Sequence, residues 1–177
     1  MPTSLNEVRR WLENEPDAFD WSPYINLTLE IEGIPTTPAA VADRTAEMRR
    51  KVTRLTSCNA LASAPLGQCD TQYDLVVAQT VTDTAARNVP EWMQIMRNIS
   101  TAVAPGGWLL ISVLTGTSGY IVGEKHFTYV DLSDEDIYRG YLAAGYDPDT
   151  FHLEKVEAPT GRGYAGVVSA TARKLTA

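Results

Sequence analysis

Apolar residues recur at helical spacing in several stretches and run together in others. Trp92, Ile95, Met96, Ile99 and Val103 form the clearest stripe. It predicts a helix over about 89–103 with one face turned to a core. Ala104-Pro105-Gly106-Gly107 ends that helix, because proline cannot continue it and glycine supplies the turn. Leu5, Val8 and Leu12 mark a helix over about 4–14, with Ser4 and Glu7 at capping-box spacing and Pro16 as its stop. Val41, Thr45, Met48 and Val52 share a face of a helix over about 40–51. Ser133, with Asp136 three residues on, caps a helix over about 134–144 that Gly145 closes.

The strand signals differ in kind. Leu75-Val76-Val77-Ala78 is a short apolar run between polar residues, the pattern of a strand buried on both faces. Trp108–Leu114 reads the same way. Thr150–Glu157 and Val167–Arg173 alternate well enough for two closing antiparallel strands. Val52–Leu61 is a weak strand signal. Ile25, Leu27, Leu29 and Ile31 alternate like a strand, and the pattern alone leaves strand and helix open for residues 24–32. Gly33, Pro35 and Pro38 make a loop. Neither internal repeats nor low-complexity tracts interrupt these elements.

Composition narrows the classes. The 177 residues suit one domain, and 44% hydrophobic with 21% charged residues is globular rather than disordered. Fifteen Lys and Arg against 22 Asp and Glu give a net charge of −7. That balance argues against binding nucleic acid or anionic membranes through bulk charge. No apolar window is long enough for a membrane span, and residues 1–11 lack a signal-peptide pattern, so a cytoplasmic location is expected. Two cysteines, Cys58 and Cys69, and two histidines, His126 and His152, support neither a disulfide framework nor a metal site. Cys58 reads as a small buried hydrophobe. Asp131, Asp134, Glu135 and Asp136 read as a solvated helix start.

Strands alternating with helices imply an α/β sheet, mostly parallel. The order is informative: an Asp-Leu-Val-Val strand, a helix ending in Pro-Gly-Gly, a second apolar strand, a helix and a closing hairpin. It resembles the C-terminal part of the Rossmann-like sheet of class I methyltransferases. Longer matches sharpen the likeness: WLENEPDAFDWSP (11–23), PLG (65–67), YDLVVAQTVTD (73–83), RNISTAVAPGGWLLI (97–111), SGYIVGEKHF (118–127), AAGYD (143–147) and ARKL (172–175). With them the chain resembles the nicotinamide, phenylethanolamine and indolethylamine (thioether) N-methyltransferase family. The Pro-Gly-Gly element is shared by many methyltransferases. The E-P-x-A-F-D-W-S-P and Y-x-V-G-E-x-x-F combinations are far more specific.

The resemblance implies methyl transfer from S-adenosylmethionine to a small-molecule nucleophile, expected to be a nitrogen. Such a displacement needs proximity, alignment and a dry pocket more than acid or base groups. Residue by residue, it implies cofactor contacts at Ser4, Asn59, Ala60 and Thr80, and substrate-pocket positions at Val113, Thr117 and Tyr120. It implies no metal and no catalytic acid or base. Val113 stands where several animal members place an acid that holds the substrate amine. Trp11, Phe19 and Trp21 fit either an aromatic pocket wall or the packing of the first helix.

The resemblance also implies that the family's first two strands are absent. They carry a Gly-rich loop and a ribose-binding acid, and Met1 aligns just past that acid. Residues 1–177 are therefore expected to form a single partial domain, truncated at its N-terminus. The 75–79 strand is expected to become an apolar sheet edge, open to a second copy or another chain. The alternative is a non-catalytic module that binds a small molecule or completes another methyltransferase chain.

Overall fold

The computed structural model describes residues 2–67, 71–117, 119–122, 124–159 and 163–176, with only the backbone for 2–3 and 120–122. The chain divides into two compact units, residues 1–57 and 58–177.

The first unit is helical. α1 (Pro2–Leu12), α2 (Ser22–Ile31) and α3 (Pro38–Lys51) follow one another through short loops. α2 resolves the ambiguity of residues 24–32. Ile25 and Leu29, one helical turn apart, are buried, whereas Leu27 and Ile31 face outward. Thr37 caps α3 by accepting a hydrogen bond from the Ala40 N–H at 3.2 Å. The expected capping box of α1 is not formed. Ser4 lies inside the helix, and Glu7 instead accepts the Phe19 N–H at 2.6 Å and pairs with Arg10. That carboxylate therefore ties the following loop to the helix. Trp11 is buried, and Trp21 stands edge-on to it with ring centroids 6.5 Å apart. Phe19, Trp21 and Tyr24 complete the cluster but remain well exposed. α3 buries no residue fully, so the stripe of Val41, Thr45 and Met48 is left without a complete cover.

The second unit is an α/β layer. Its main strands are β1 (Tyr73–Gln79), β2 (Val103–Thr115), β5 (His152–Glu157) and β6 (Gly166–Arg173). They lie in the order β1-β2-β6-β5. β1 and β2 are parallel, and the other two pairings are antiparallel. A separate hairpin joins β3 (Gly119–Val122) to β4 (Lys125–Thr128). The helices are α4 (Thr82–Ala85), α5 (Val89–Ser100) and α6 (Asp134–Ala143). Asn88 caps α5, and Ser133 with Asp136 forms a complete capping box on α6.

The core follows from two periodicities. α5 contributes Trp92, Ile95, Met96 and Ile99, all buried. β2 contributes alternate residues Leu109, Ile111 and Val113, opposite the small or short Ala172, Ala170 and Val168 of β6. The buried Tyr141 of α6 donates from its hydroxyl to the carbonyl of Ala170 at 2.7 Å, fastening the helix to the sheet. The A-P-G-G turn lies inside β2, where the register with β1 breaks between Tyr73 and Leu75. Gly107 passes so close to the Tyr73 and Asp74 carbonyls that a β-carbon there would sit 3.0–3.1 Å from them.

The A-R-K-L tail clamps this turn. Arg173 Nε donates to the Gly106 carbonyl at 2.8 Å, and Lys174 Nζ donates to the carbonyls of Ser100 and Val103. Burial holds the Lys174 ammonium below the usual lysine range. Lys174→Met is expected to cost about 1–2 kcal/mol, the worth of hydrogen bonds to a partly buried charge, read as a lower urea midpoint for the second unit.

One expectation is corrected. Residues 52–61 form no strand, since a weak strand signal needs a neighbouring strand to satisfy its backbone, and no described strand pairs with them. The expected apolar edge is present: β1 ends the sheet, Val76 and Ala78 face the core, and Leu75 and Val77 are each 57% exposed. In register with them, Trp108 is exposed and Leu110 half-buried. Helical packing covers one face of the sheet, and on the other Leu75, Val77 and Trp108 stay exposed.

Candidate functional site

In α/β sheets, ligands bind outside the carboxyl ends of parallel strands. The only described parallel pair here is β1–β2, and its carboxyl ends carry Thr80 and the 115–117 segment. Thr80 extends the ladder by donating its N–H to the Ser112 carbonyl at 2.7 Å. Its φ is +47°, the left-handed region that a β-branched residue rarely enters. Such strain costs on the order of 1–3 kcal/mol and persists only where its surroundings impose it. Here the imposing contacts are that N–H and the Thr84 hydroxyl, which donates to the Thr80 carbonyl at 2.9 Å. The half-buried Thr80 is therefore a rigid corner at the end of β1.

Asp83 holds the corner from behind, and the sequence alone did not single it out. It is fully buried. One carboxylate oxygen accepts the Leu114 N–H at 3.0 Å and the other accepts the Thr84 N–H at 3.1 Å. Its own carbonyl accepts the Val130 N–H at 3.1 Å. One residue thus ties α4 to the end of β2 and to the segment leading to α6. Burial raises the Asp83 carboxyl above the ordinary carboxylate range, and the Leu114 and Thr84 amides oppose that shift. The available signal was an acid placed five residues past an apolar strand run, inside the Y-D-L-V-V-A-Q-T-V-T-D match.

On the β2 side, Gly116 has φ +66° and passes against Ala165, so closely that a β-carbon would overlap it. Thr117 is half-buried, and its hydroxyl donates to the Gly119 carbonyl at 2.9 Å. It thereby sets the entry to the β3–β4 hairpin. Val113 is fully buried in the core, opposite Val168. The side chain of Tyr120 lies outside the described residues.

Two of the remaining positions are not gathered at this corner. Ala60 is buried, and its carbonyl accepts the Asn98 side-chain amide at 2.9 Å. Asn98 lies in the last turn of α5, which leads directly to Val103 opposite Tyr73. Ala60 is therefore anchored beside the amino end of β1, whereas Thr80 sits at its carboxyl end. Asn59 is exposed, and its side-chain oxygen accepts the Leu61 N–H of its own turn at 3.2 Å. Ser4 belongs to the helical unit, where it is exposed beside a cleft of about 550 Å³ shared with Phe19, Trp21 and Tyr24. Within this unit, Asn59 and Ala60 are not gathered with Thr80 into one cradle.

A cleft of about 350 Å³ does run along β1. Leu75, Val77 and Val81 line it with Tyr73, Leu66 and Cys58. Its lining is overwhelmingly apolar. Cys58 is exposed here rather than buried in a strand, although partial burial still raises its thiol above the ordinary range. Among the described residues no cluster could hold a metal ion, and no helix is long and apolar enough to cross a membrane.

The sheet order, the parallel pair and the corner at Thr80 define a class I methyltransferase type of fold. A crystal structure of a SAM-dependent methyltransferase from Methanosarcina mazei matches with a TM-score of 0.52 over 80% of each chain at 16% identity. The [4+2]-cyclase SpnF matches at 0.51 over 78% of this chain and 63% of its own, at 18% identity. The fold alone therefore does not name a reaction. The chain belongs to the NNMT/PNMT/TEMT family, whose family pattern matches residues 1–175. Human nicotinamide N-methyltransferase is 29% identical over 175 residues, covering 98% of this chain and 65% of the relative. Rabbit (Oryctolagus cuniculus) indolethylamine N-methyltransferase is 30% identical over 142 residues, covering 80% and 53%. Human phenylethanolamine N-methyltransferase is 28% identical over 149 residues, covering 82% and 52%. The chain thus spans about half to two thirds of the length of these relatives.

Proposed function

We propose that this chain forms part of an S-adenosylmethionine-dependent methyltransferase acting on a nitrogen of a small molecule. The observation that carries the reading is the family match across residues 1–175. The named relatives methylate nicotinamide, indolethylamine and phenylethanolamine, all small nitrogen compounds. The cofactor would supply an activated methyl group. The chain's part would be to hold the acceptor in line and keep water out, which suits a site without an acid–base pair. Thr80 is the best-supported cofactor position, because its strained corner lies at the carboxyl end of a parallel strand. Thr117, Tyr120 and Val113 belong on the acceptor side. Valine cannot hold an amine by charge, so the acceptor would be anchored differently from one gripped by an acid.

Residues 1–177 would be one partial domain, completed beside β1 by further polypeptide of the same protein, a second copy or another chain. The support is the exposed Leu75 and Val77 on an unpaired parallel edge. The second reading is a non-catalytic module that binds or completes another chain. What favours it is the separation of Asn59 and Ala60 from Thr80.

The test is methyl transfer from labelled S-adenosylmethionine to nicotinamide, indolethylamine and phenylethanolamine, run on the native assembly. Calorimetric titration of the 177-residue chain with the cofactor accompanies it. Transfer by the assembly and no saturable heat from the chain alone are expected. A stable assembly that neither binds cofactor nor transfers methyl groups would establish the non-catalytic reading. Val77→Lys is expected to abolish the assembly, read by sedimentation.

A further inference from the structure

The helical unit contains a cleft that the methyl-transfer reading does not use. It has a volume of about 580 Å³ and lies among α2, α3 and the end of the α1 loop. Its polar lining is Asn14, Ser22, Asn26, Thr36, Thr45 and Arg49, with small apolar residues of α3 between them. No carboxylate lines it. That is unusual in a chain of net charge −7.

Arg49 is its one cation. The guanidinium lies over the Trp11 ring, 5.0 Å from the centroid. Stacking uses the flat face of the group and leaves its in-plane N–H donors for a ligand. Among the described residues Arg49 has no ion-pair partner, and its Nε is buried without a hydrogen-bond acceptor. The neighbouring cations differ. Arg10 is held by Glu7, Glu15 and Asp17, and Arg44 by Glu32 and Glu47. Arg9 and Arg50 also lack an ion pair among the described residues, so what sets Arg49 apart is its place over Trp11 at a cleft without carboxylates, although a second cleft on its other side holds Glu15 and Asp20.

The Nη–H groups of the guanidinium present donors that match the oxygens of a carboxylate. The Asn14 and Asn26 side-chain amides, also without protein partners among the described residues, can complete its shell. The walls formed by Val41, Ala42 and Ala46 suit a small hydrocarbon body. We propose that this cleft is a binding site for a small organic carboxylate, gripped by Arg49 against Trp11. The site is independent of methyl transfer and stands or falls separately from it.

The experiment titrates the full chain with benzoate, with neutral benzamide and with inorganic phosphate. It follows the Arg49 Nε–Hε resonance by NMR and the Trp11 fluorescence. Benzoate is expected to shift both saturably, and benzamide neither. Arg49→Lys keeps the charge but loses the fork, and is expected to weaken benzoate binding about tenfold, the worth of one charge-assisted hydrogen bond. Asn26→Ala, which leaves the Trp11 stack intact, is expected to weaken it by a smaller factor and guards against misfolding of the arginine variant. Equal responses to benzoate and benzamide overturn the proposal, as does saturation by phosphate alone. Unchanged benzoate affinity in both variants overturns it as well.

Discussion

Trp92→Ala is expected to destabilise the second unit by about 4 kcal/mol, the usual cost of removing a large buried aromatic. Trp92 is fully buried at the centre of α5, and α6 crosses it at Gly140. Gly140 is there because the indole fills the space a side chain would take. A β-carbon at residue 140 would overlap Cζ3 and Cη2 of Trp92. Gly140→Ala therefore sets two effects against each other. Alanine gains about 1 kcal/mol in helix propensity over glycine. Overpacking a fixed core costs about 1–3 kcal/mol. The overlap is with a rigid, enclosed ring, so the cost is expected to win in the native background. In the Trp92→Ala background the obstruction is gone, and Gly140→Ala should become neutral or stabilising. Urea titrations of the four proteins, followed by far-ultraviolet circular dichroism, give the coupling directly. Additive effects would show that the two helices do not meet as described.

This contact illustrates which features the sequence carries. The stripe Trp92, Ile95, Met96, Ile99 is local, and the helix and its buried face were legible because the same residues fix both. The α6 cap was legible for the same reason, as Ser133 and Asp136 answer each other within one turn. The final antiparallel pair β5–β6 also came through, with alternation in both strands. The fate of residues 52–61 was not local. Whether a weakly patterned segment forms a strand depends on a neighbour elsewhere in the chain, and here no described strand lies in register with it. The apolar run of β1 carries a related lesson, since the pattern asks for cover on both faces while the resemblance predicts the exposed edge that is found. An apolar run reports what a strand needs covered, not what covers it. Thus Leu75 and Val77 read as interior residues and stand exposed.

The candidate site was legible only in part. Thr80 was identified by resemblance, but its strained corner could not be read from a threonine just past an apolar run. Asn59 and Ala60 were grouped with Thr80 on the same basis, and the structure places them at the other end of β1. Asp83 lies inside the Y-D-L-V-V-A-Q-T-V-T-D match, but nothing local marks it as buried. Its burial is set by the Leu114 amide, 31 residues away, a separation no local pattern reports.

Replacing Asp83 tests that reading and gives the chain a pH signature. Asp83→Ala leaves the Leu114 and Thr84 amides without their acceptor and is expected to cost about 3 kcal/mol, two hydrogen bonds to a buried charged group. The pH dependence has a definite sign. The folded-state carboxyl lies above the unfolded value of 3.8 because burial outweighs the two amides. Between those values the folded protein binds more protons than the unfolded chain. Stability therefore falls as pH rises from the unfolded value through the raised folded value, and levels off above it. Asp83→Asn keeps an acceptor oxygen but does not titrate. Its stability relative to the native protein is thus expected to improve as pH rises across that window and to stay constant above it. Paired urea titrations at stepped pH give the difference. A constant difference across the acid range would mean that the Asp83 carboxylate is not desolvated, and that the corner at Thr80 is held by something other than a buried acid.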